Sequence, residues 1–156
     1  MKLIKDFVNQ LDADISLDDR MIVEKGNRYF LLDENLRKIA KKEFFYAGIY
    51  LGKAKKGKFF PSFILLKMIA QHKANKIIVD SKTEWLFICG RDVFKKGITN
   101  VTGSKQKGAY TLILNKHDEC LGFGKILDNF DESREKVAVE NISDIGDFLR
   151  REKQLD

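Results

Sequence analysis

Residues 84–98, EWLFICGRDVFKKGI, constrain this chain most. Residues 84–88 are aromatic and β-rich with no breaker, so they read as a strand buried on both faces. Gly90 ends that strand, and 91–96 has the spacing of one or two helical turns before Gly97 releases the chain. A strand that runs into a short basic helix puts Arg91, Lys95 and Lys96 at the edge of whatever sheet Trp85 and Phe87 build. Such an edge is a natural place to hold a phosphate backbone.

Charge sharpens this reading. The chain of 156 residues carries a net charge of +6, and the whole excess falls in residues 1–75, while 76–156 is balanced. Arg37, Lys38, Lys41, Lys42, Lys53, Lys55, Lys56 and Lys58 are opposed only by Glu43. Such a concentration suits an acidic partner, nucleic acid first, and equally a solvated lysine-rich surface. Two small domains fit the length, and because neither half has a large core alone, they pack on each other. No apolar run approaches the ~18 residues of a membrane span. Residues 1–11 are charged and amphipathic without the apolar centre of a signal peptide, so the expectation is an intracellular, cytoplasmic protein. Cys89 and Cys120 read as two buried thiols, and with His72 and His117 far from both, no zinc pattern exists and neither metal nor cofactor is expected.

The first domain, 1–75, reads as α+β. Leu3, Ile4, Phe7, Val8 and Leu11 recur at helical spacing, giving a helix that ends near Asp14. Residues 20–24 and 28–32 alternate as two strands joined at Gly26-Asn27. Leu36, Ile39 and Ala40 mark a short helix carrying Arg37, Lys38, Lys41 and Lys42, after which 44–54 is a strand that turns at Gly57 and returns. Pro61 or Ser62 opens a helix through about Lys73, with Phe63, Leu66 and Ala70 on one face, buried between the domains.

The second domain, 76–156, runs strands first and helix last. Strands are expected at 76–80, 84–88, 108–114, 120–127 and 136–141, a spacing that favours a small barrel or sandwich. The alternation Leu121-Gly122-Phe123-Gly124 marks a tight barrel corner or the close approach of another backbone. Residues 99–107 read as a mobile loop able to fold onto RNA, and 128–135 as an acidic loop. Ser143 is the expected N-cap of a last helix, with Asp144 and Asp147 in its first turn and Ile145, Phe148 and Leu149 as its buried stripe. Arg150, Arg151 and Lys153 at its end suit the helix dipole and suit an RNA contact equally well.

Residues 76–156 resemble a PUA domain, the small β-barrel RNA-binding module. FICGRDVFKKGI at 87–98, LGFG at 121–124 and DIGDFLRRE at 144–152 together resemble the Nip-seven family of large-ribosomal-subunit biogenesis factors. The likeness implies an N-terminal α+β domain packed on a PUA-type mixed β-barrel with a short helix and a C-terminal helix, and no catalysis. It also implies binding of single-stranded, often uridine-rich RNA through basic residues of the PUA domain, with other assembly factors, and the exosome in archaeal members, as protein partners. Carried over by motif, the RNA-binding residues are Arg150 and Arg151, then Lys153 just beyond the block, with Arg91 and Lys95 in the first block beside Lys96. In a eukaryotic cell the resemblance implies a nucleolar location.

Acid–base candidates are few. Asp92 fits a helix start, and His117, Asp118 and Glu119 fit a hairpin turn, so catalytic residues are not expected. The sequence therefore describes a monomeric assembly factor that captures pre-ribosomal RNA by its phosphates, with little stacking because Trp85, Phe87 and Phe123 read as core. The competing reading is a protein-interaction adaptor whose basic first domain docks on an acidic assembly factor or exosome subunit, with Arg37, Lys38, Lys41, Lys42, Lys53, Lys55, Lys56 and Lys58 as the docking or secondary RNA surface.

Overall fold

The computed structural model describes residues 1–39, 46–127, 130 and 136–152, the side chains of 148, 149, 151 and 152 excepted. Helix α1 (Lys2–Gln10) forms where the apolar spacing places it and buries Ile4, Phe7 and Val8. A four-stranded antiparallel sheet follows, β1 (Ile22–Lys25), β2 (Arg28–Leu31), β3 (Ile49–Lys55) and β4 (Lys58–Pro61), its strands in chain order. Its two hairpins turn at Gly26-Asn27 and Lys56-Gly57, and positive φ at both Lys56 and Gly57 is the mirror-image turn whose twist matches flanking strands. Between β2 and β3 lies α2 (Glu34–Ile39), where the Asp33 carboxylate accepts the Leu36 amide at 2.7 Å. Helix α3 (Phe63–Ala70) starts at the Ser62 cap and buries Leu65, Leu66 and Ile69. Its buried face thus centres one residue away from the Phe63, Leu66 and Ala70 stripe, with Ala70 packed at the margin.

The second sheet holds β5 (Lys76–Val79), β6 (Val93–Phe94), β7 (Ile98–Thr102), β8 (Tyr110–Leu114), β9 (Cys120–Ile126) and β10 (Val137–Asp144) in the order β6-β10-β9-β8-β5-β7. Among these pairs only β5 and β8 run parallel. The two edge strands, β6 and β7, are joined by the single 3₁₀ turn Lys95–Gly97, so the sheet curls until its edges meet. This is the mixed, barrel-like α+β fold that the sequence indicates. Gly122 and Gly124 make the corner: a Cβ on either would overlap the β10 backbone, at the Ser143 and Glu140 carbonyls respectively.

The expected strand at 84–88 is instead helix α4 (Ser81–Ile88). Asp80 accepts the Thr83 amide at 2.7 Å and starts the helix, while Gly90, at φ +88°, ends it. The Gly90 amide donates to the Phe87 carbonyl and the Arg91 amide to the Leu86 carbonyl, the paired closure of a Schellman motif. Caps at both ends override the strand preference of the aromatic residues between them. Phe87 is buried, but Trp85, expected in the core, is 64% exposed. The helical turns expected at 91–96 shrink to the 3₁₀ turn after β6. Residues 99–102 of the expected mobile loop belong to β7, and the rest of that loop is pinned by Asn75, whose Oδ1 accepts the Ser104 amide at 2.8 Å. Most of the acidic loop at 128–135 lies outside the described residues.

Both sheets feed one core. Phe7 of α1 meets Phe59 of β4 with ring centroids 5.7 Å apart and Phe123 of β9 at 5.2 Å, and α3 packs against β3 and β9. Cys120 lies in this core, where burial pushes its thiol up to about 11, whereas Cys89 is exposed at the end of α4, against the expectation that both are buried. A second apolar cluster, with Ile77, Phe87, Val93, Ile113 and Val139, sits inside the curl of the six-stranded sheet. No helix among the described residues is long and apolar enough to cross a membrane.

Candidate nucleic-acid interface

Helix α5 (Ile145–Glu152) carries Arg150 and Arg151. The carboxylate of Asp144, and not the expected Ser143, accepts the Asp147 amide at 2.9 Å and caps the helix. That carboxylate is buried, and it also receives the Arg150 guanidinium at 2.8 and 3.1 Å. The other arm of Arg150 donates to the Ile88 carbonyl at 2.5 Å, at the open end of α4. Asn141 completes the junction: its side-chain amide donates to the Phe87 carbonyl at 2.9 Å, the Arg91 carbonyl at 3.3 Å and Asp144 at 3.1 Å. Its backbone amide donates to Asp92 at 2.9 Å, so Asp92 fastens β10 and does not start a helix as expected. The bond to Asp144, first among the causes, holds the Arg150 guanidinium even more firmly protonated than usual. Gly90 and Gly146 leave the room it occupies.

Arg150 is thus a joint between α4 and α5, with 42% of its side chain still open to solvent. Ile145, expected in the buried stripe, is 41% exposed. The side chains of Phe148, Leu149 and Arg151, and all of Lys153, lie outside the described residues.

Lys95 and Lys96 stand elsewhere. The turn that carries them is fixed from behind, because a Cβ on Gly97 would overlap the Thr83 hydroxyl, and the Gly97 carbonyl accepts the Asp80 amide at 2.9 Å. In front of the turn opens a groove of about 490 Å³ lined by Lys95, Lys96, Ile98, Thr99, Asn100, Val101, Lys105 and Phe130. Its lining has three lysines and no carboxylate among the described residues. Edge strand β7 forms one wall, and the Asn75 contact to Ser104 holds Lys105 at the rim. Lys96 lies 5.9 Å over the ring of Phe94, itself 40% exposed, which sets a cation beside a flat apolar surface. Arg91 is exposed on the turn after α4 and does not line the groove. The sequence reading placed Lys105 only within a loop able to fold onto RNA and did not single out Phe94; the signal for β7 was the β-branched run Ile98, Thr99, Val101 and Thr102, which brings the loop end back to the turn.

The remaining basic residues divide. Lys53, Lys55, Lys56 and Lys58 are exposed on the β3–β4 hairpin. Arg37 lies near enough to Asp18 to help lower its carboxyl, behind the larger effect of its hydrogen bonds with Arg20, and Lys38 is exposed on α2. Lys41 and Lys42 lie outside the described residues.

The acid–base candidates form a hairpin turn. Buried Asn115 accepts the amides of His117 and Glu119 at 2.9 and 3.0 Å and donates to the carboxylates of Glu84 and Glu119 at 3.0 and 2.6 Å. Among the described residues no group of His, Cys, Asp and Glu is arranged to hold a metal.

The family described as UPF0113 PUA domain matches residues 75–153, and the first C-terminal domain of the RsmF rRNA methyltransferase matches residues 6–67. A UPF0113 protein of Archaeoglobus fulgidus is 29% identical over 112 residues, a match covering 69% of this chain and 63% of that protein, so the chain spans less than two thirds of this relative's length. The 60S ribosome subunit biogenesis protein NIP7 homolog of Tetraodon nigroviridis is 26% identical over 139 residues, 83% of this chain and 77% of its own. Among solved structures, a conserved PUA domain protein from Thermoplasma acidophilum superposes with a TM-score of 0.64 at 19% identity, covering 97% of this chain and 94% of its own. A hypothetical protein from Pyrococcus horikoshii gives 0.58 at 17% identity, covering 92% and 90%. Those two likenesses carry the fold alone; the family match spans half of the sequence, and this chain belongs to the UPF0113 PUA-domain family.

Proposed function

We propose that the protein is a non-catalytic RNA-binding factor in assembly of the large ribosomal subunit, and that it captures single-stranded RNA in the groove of Lys95, Lys96 and Lys105, with Arg91 reaching the same strand from the turn after α4. One observation carries this reading: Lys95, Lys96 and Lys105 converge on an open groove at the closing edge of a PUA-type sheet, with no carboxylate in its lining among the described residues. Cations lining one groove can neutralise the phosphates of a strand laid in it, while Phe94 offers a base a face to stack on. Relatives named as 60S ribosome subunit biogenesis proteins supply the cellular process. The finer reading is a uridine-rich stretch of pre-ribosomal RNA as ligand, other assembly factors or exosome subunits as protein partners, and a monomer acting in the cytoplasm, or in the nucleolus of a eukaryotic cell.

Arg150 takes a positioning role here, since both arms of its guanidinium already have partners in the α4–α5 joint, while Arg151 and Lys153 stay in the proposal as phosphate contacts on the sequence motif alone. The absence of catalysis is supported by the carboxylates themselves: Asp92 holds the Asn141 amide and Glu119 holds Asn115, so both are occupied with the fold.

The test is fluorescence anisotropy of a uridine-rich RNA over a salt series, with an Arg91→Ala, Lys95→Ala, Lys96→Ala variant beside wild type. The expected result is weaker binding and a slope of log affinity against log salt shallower by about two units, at ~0.7 per phosphate contact. An unchanged slope in a folded variant would remove the groove from the site.

A further inference from the structure

The register of the four-stranded sheet aligns residues that are far apart in the chain. Lys25 lies opposite Arg28, Arg28 opposite Lys53, and Lys53 opposite Phe60. Directly opposed residues of antiparallel strands project from the same face, so these four form one row across the sheet, spanning about 14 Å at the usual ~4.8 Å per strand. Lys55 opposite Lys58, two residues further along the hairpin, adds a second row on that face. All six are exposed. Five are cations, and the sixth, Phe60, is a large apolar ring left 45% open. Among the described residues no carboxylate forms an ion pair with Lys53, Lys55 or Lys58. The core lies on the other side, where Tyr29 and Phe59 meet at 5.9 Å.

On the same side of the sheet, past the β-bulge at Tyr29/Phe30, come Val23, Phe30 and Tyr50, and there Phe30 is fully buried. Phe30 packs edge-on against Tyr46 with centroids 5.2 Å apart and lies 5.5 Å from Tyr50, and Tyr46 is 57% exposed. Arg28 is near enough to the Tyr50 hydroxyl to pull against the burial that raises its pKa. The face therefore grades from aromatic to cationic, with Phe60 at the open edge strand.

We infer that this outer face is a second single-stranded RNA platform, separate from the groove at Lys95–Gly97: phosphates lie along Lys53, Lys55 and Lys58 with Lys25 and Arg28, and bases stack on Phe60 and on the exposed Tyr46. Cations alone would serve an acidic protein segment as well. Flat rings exposed beside the cations are the feature that a single strand uses and that an acidic peptide does not require. The inference stands apart from the first groove, because no residue is shared.

The experiment uses the full chain in the Arg91→Ala, Lys95→Ala, Lys96→Ala background with Lys105→Ala added, which removes every lysine of the first groove. A 4-thiouridine-substituted, uridine-rich RNA is cross-linked and the modified peptides are mapped. Binding of the same RNA is then measured over a salt series for Lys53→Ala, Lys55→Ala, Lys58→Ala, for the triple Lys→Arg variant and for Phe60→Ala, with circular dichroism confirming that each is folded. The expected result is cross-links within residues 46–60, about tenfold weaker binding for the triple alanine variant with a slope shallower by about two units, recovery in the arginine variant, and a loss for Phe60→Ala with no change in slope.

Loss of all RNA binding in the background alone, or cross-links confined elsewhere with unchanged slopes, overturns the platform. A third arm titrates a glutamate-rich peptide: if that peptide binds in a Lys53, Lys55 and Lys58-dependent way while RNA binding does not depend on them, the face is a protein dock and the inference falls. If the background variant binds RNA as wild type does, the first groove fails as a site while this one can still be read.

Discussion

The α4–α5 joint and the Lys95–Lys105 groove are both basic, both belong to the curled sheet, and both come from blocks that read as RNA contacts in the sequence. They differ in what faces the charge. Arg150 meets a buried carboxylate and the open end of a helix, so its charge balances Asp144, which also accepts from Asn141 and the Asp147 amide, and its other arm satisfies the Ile88 carbonyl. Lys96 and Lys105 meet a groove with no carboxylate in its lining among the described residues. A cation in the first setting is tied into the fold and one in the second is, on the function proposed above, turned to a ligand, and a substitution series can separate the two.

The largest effect is expected at Asp144. Its carboxylate caps α5, pairs with Arg150 and receives Asn141, so Asp144→Ala removes three interactions together. Loss of a cap costs ~0.5–2 kcal/mol and loss of a bond to a charged group ~1.5–3, giving about 2–4 kcal/mol after allowance for non-additivity, read by urea denaturation. A change below about 1 kcal/mol would break the contrast, since the joint would then hold nothing together.

Next comes Arg150→Ala, at about 1–2 kcal/mol. That is below the ~3–5 for breaking a fully buried pair, because 42% of the Arg150 side chain is open and water screens it. Arg150→Lys should recover little, since one ammonium cannot reproduce a planar fork that bonds the Asp144 carboxylate and the Ile88 carbonyl together. A double-mutant cycle with Asp144→Ala should show a coupling of about 1 kcal/mol. Zero coupling would return Arg150 to the list of free phosphate contacts.

Gly90→Ala sharpens the same side at about 1–2 kcal/mol. At φ +88° an L side chain is strained, and its Cβ would sit 3.2 Å from the Arg150 guanidinium. A thermal melt checks this, and an unchanged melting temperature would show that the end of α4 does not depend on its glycine.

How much of this was legible follows the distance over which each feature is decided. Helix α1 was readable from Ile4, Phe7, Val8 and Leu11, and the hairpins from Gly26-Asn27 and Gly57, because spacing and turn chemistry act locally. Helix α4 was misread although its caps, Asp80 and Gly90, stand in the sequence, because the aromatic run between them was weighed as strand before the caps were. The joint was not legible at all: Ile88 and Arg150 are 62 residues apart, and only the fold brings the guanidinium to that carbonyl. The same holds for the row from Lys25 to Phe60, where a one-residue slip in register would send each of those side chains to the other face. The groove was half legible, with Lys95 and Lys96 found and Lys105 hidden in a loop that turned out to return along β7.

The smallest effect on stability, and the clearest contrast with Arg150, is expected for Lys96→Ala with Lys105→Ala. Both side chains stand at an open groove without a described carboxylate, so removing them should change the unfolding free energy by less than about 0.5 kcal/mol. The same double variant should bind uridine-rich RNA more weakly, with a salt slope shallower by about 1.4 units from two lost contacts at ~0.7 each. Arg150→Ala, compared under conditions where it stays folded, should lose stability while its salt slope moves by less than half a unit. The two variants therefore exchange places between the denaturation curve and the salt series. If instead both change the slope alike, the joint touches RNA as well, and the distinction between a cation that holds the fold and one that faces a ligand fails for this sheet.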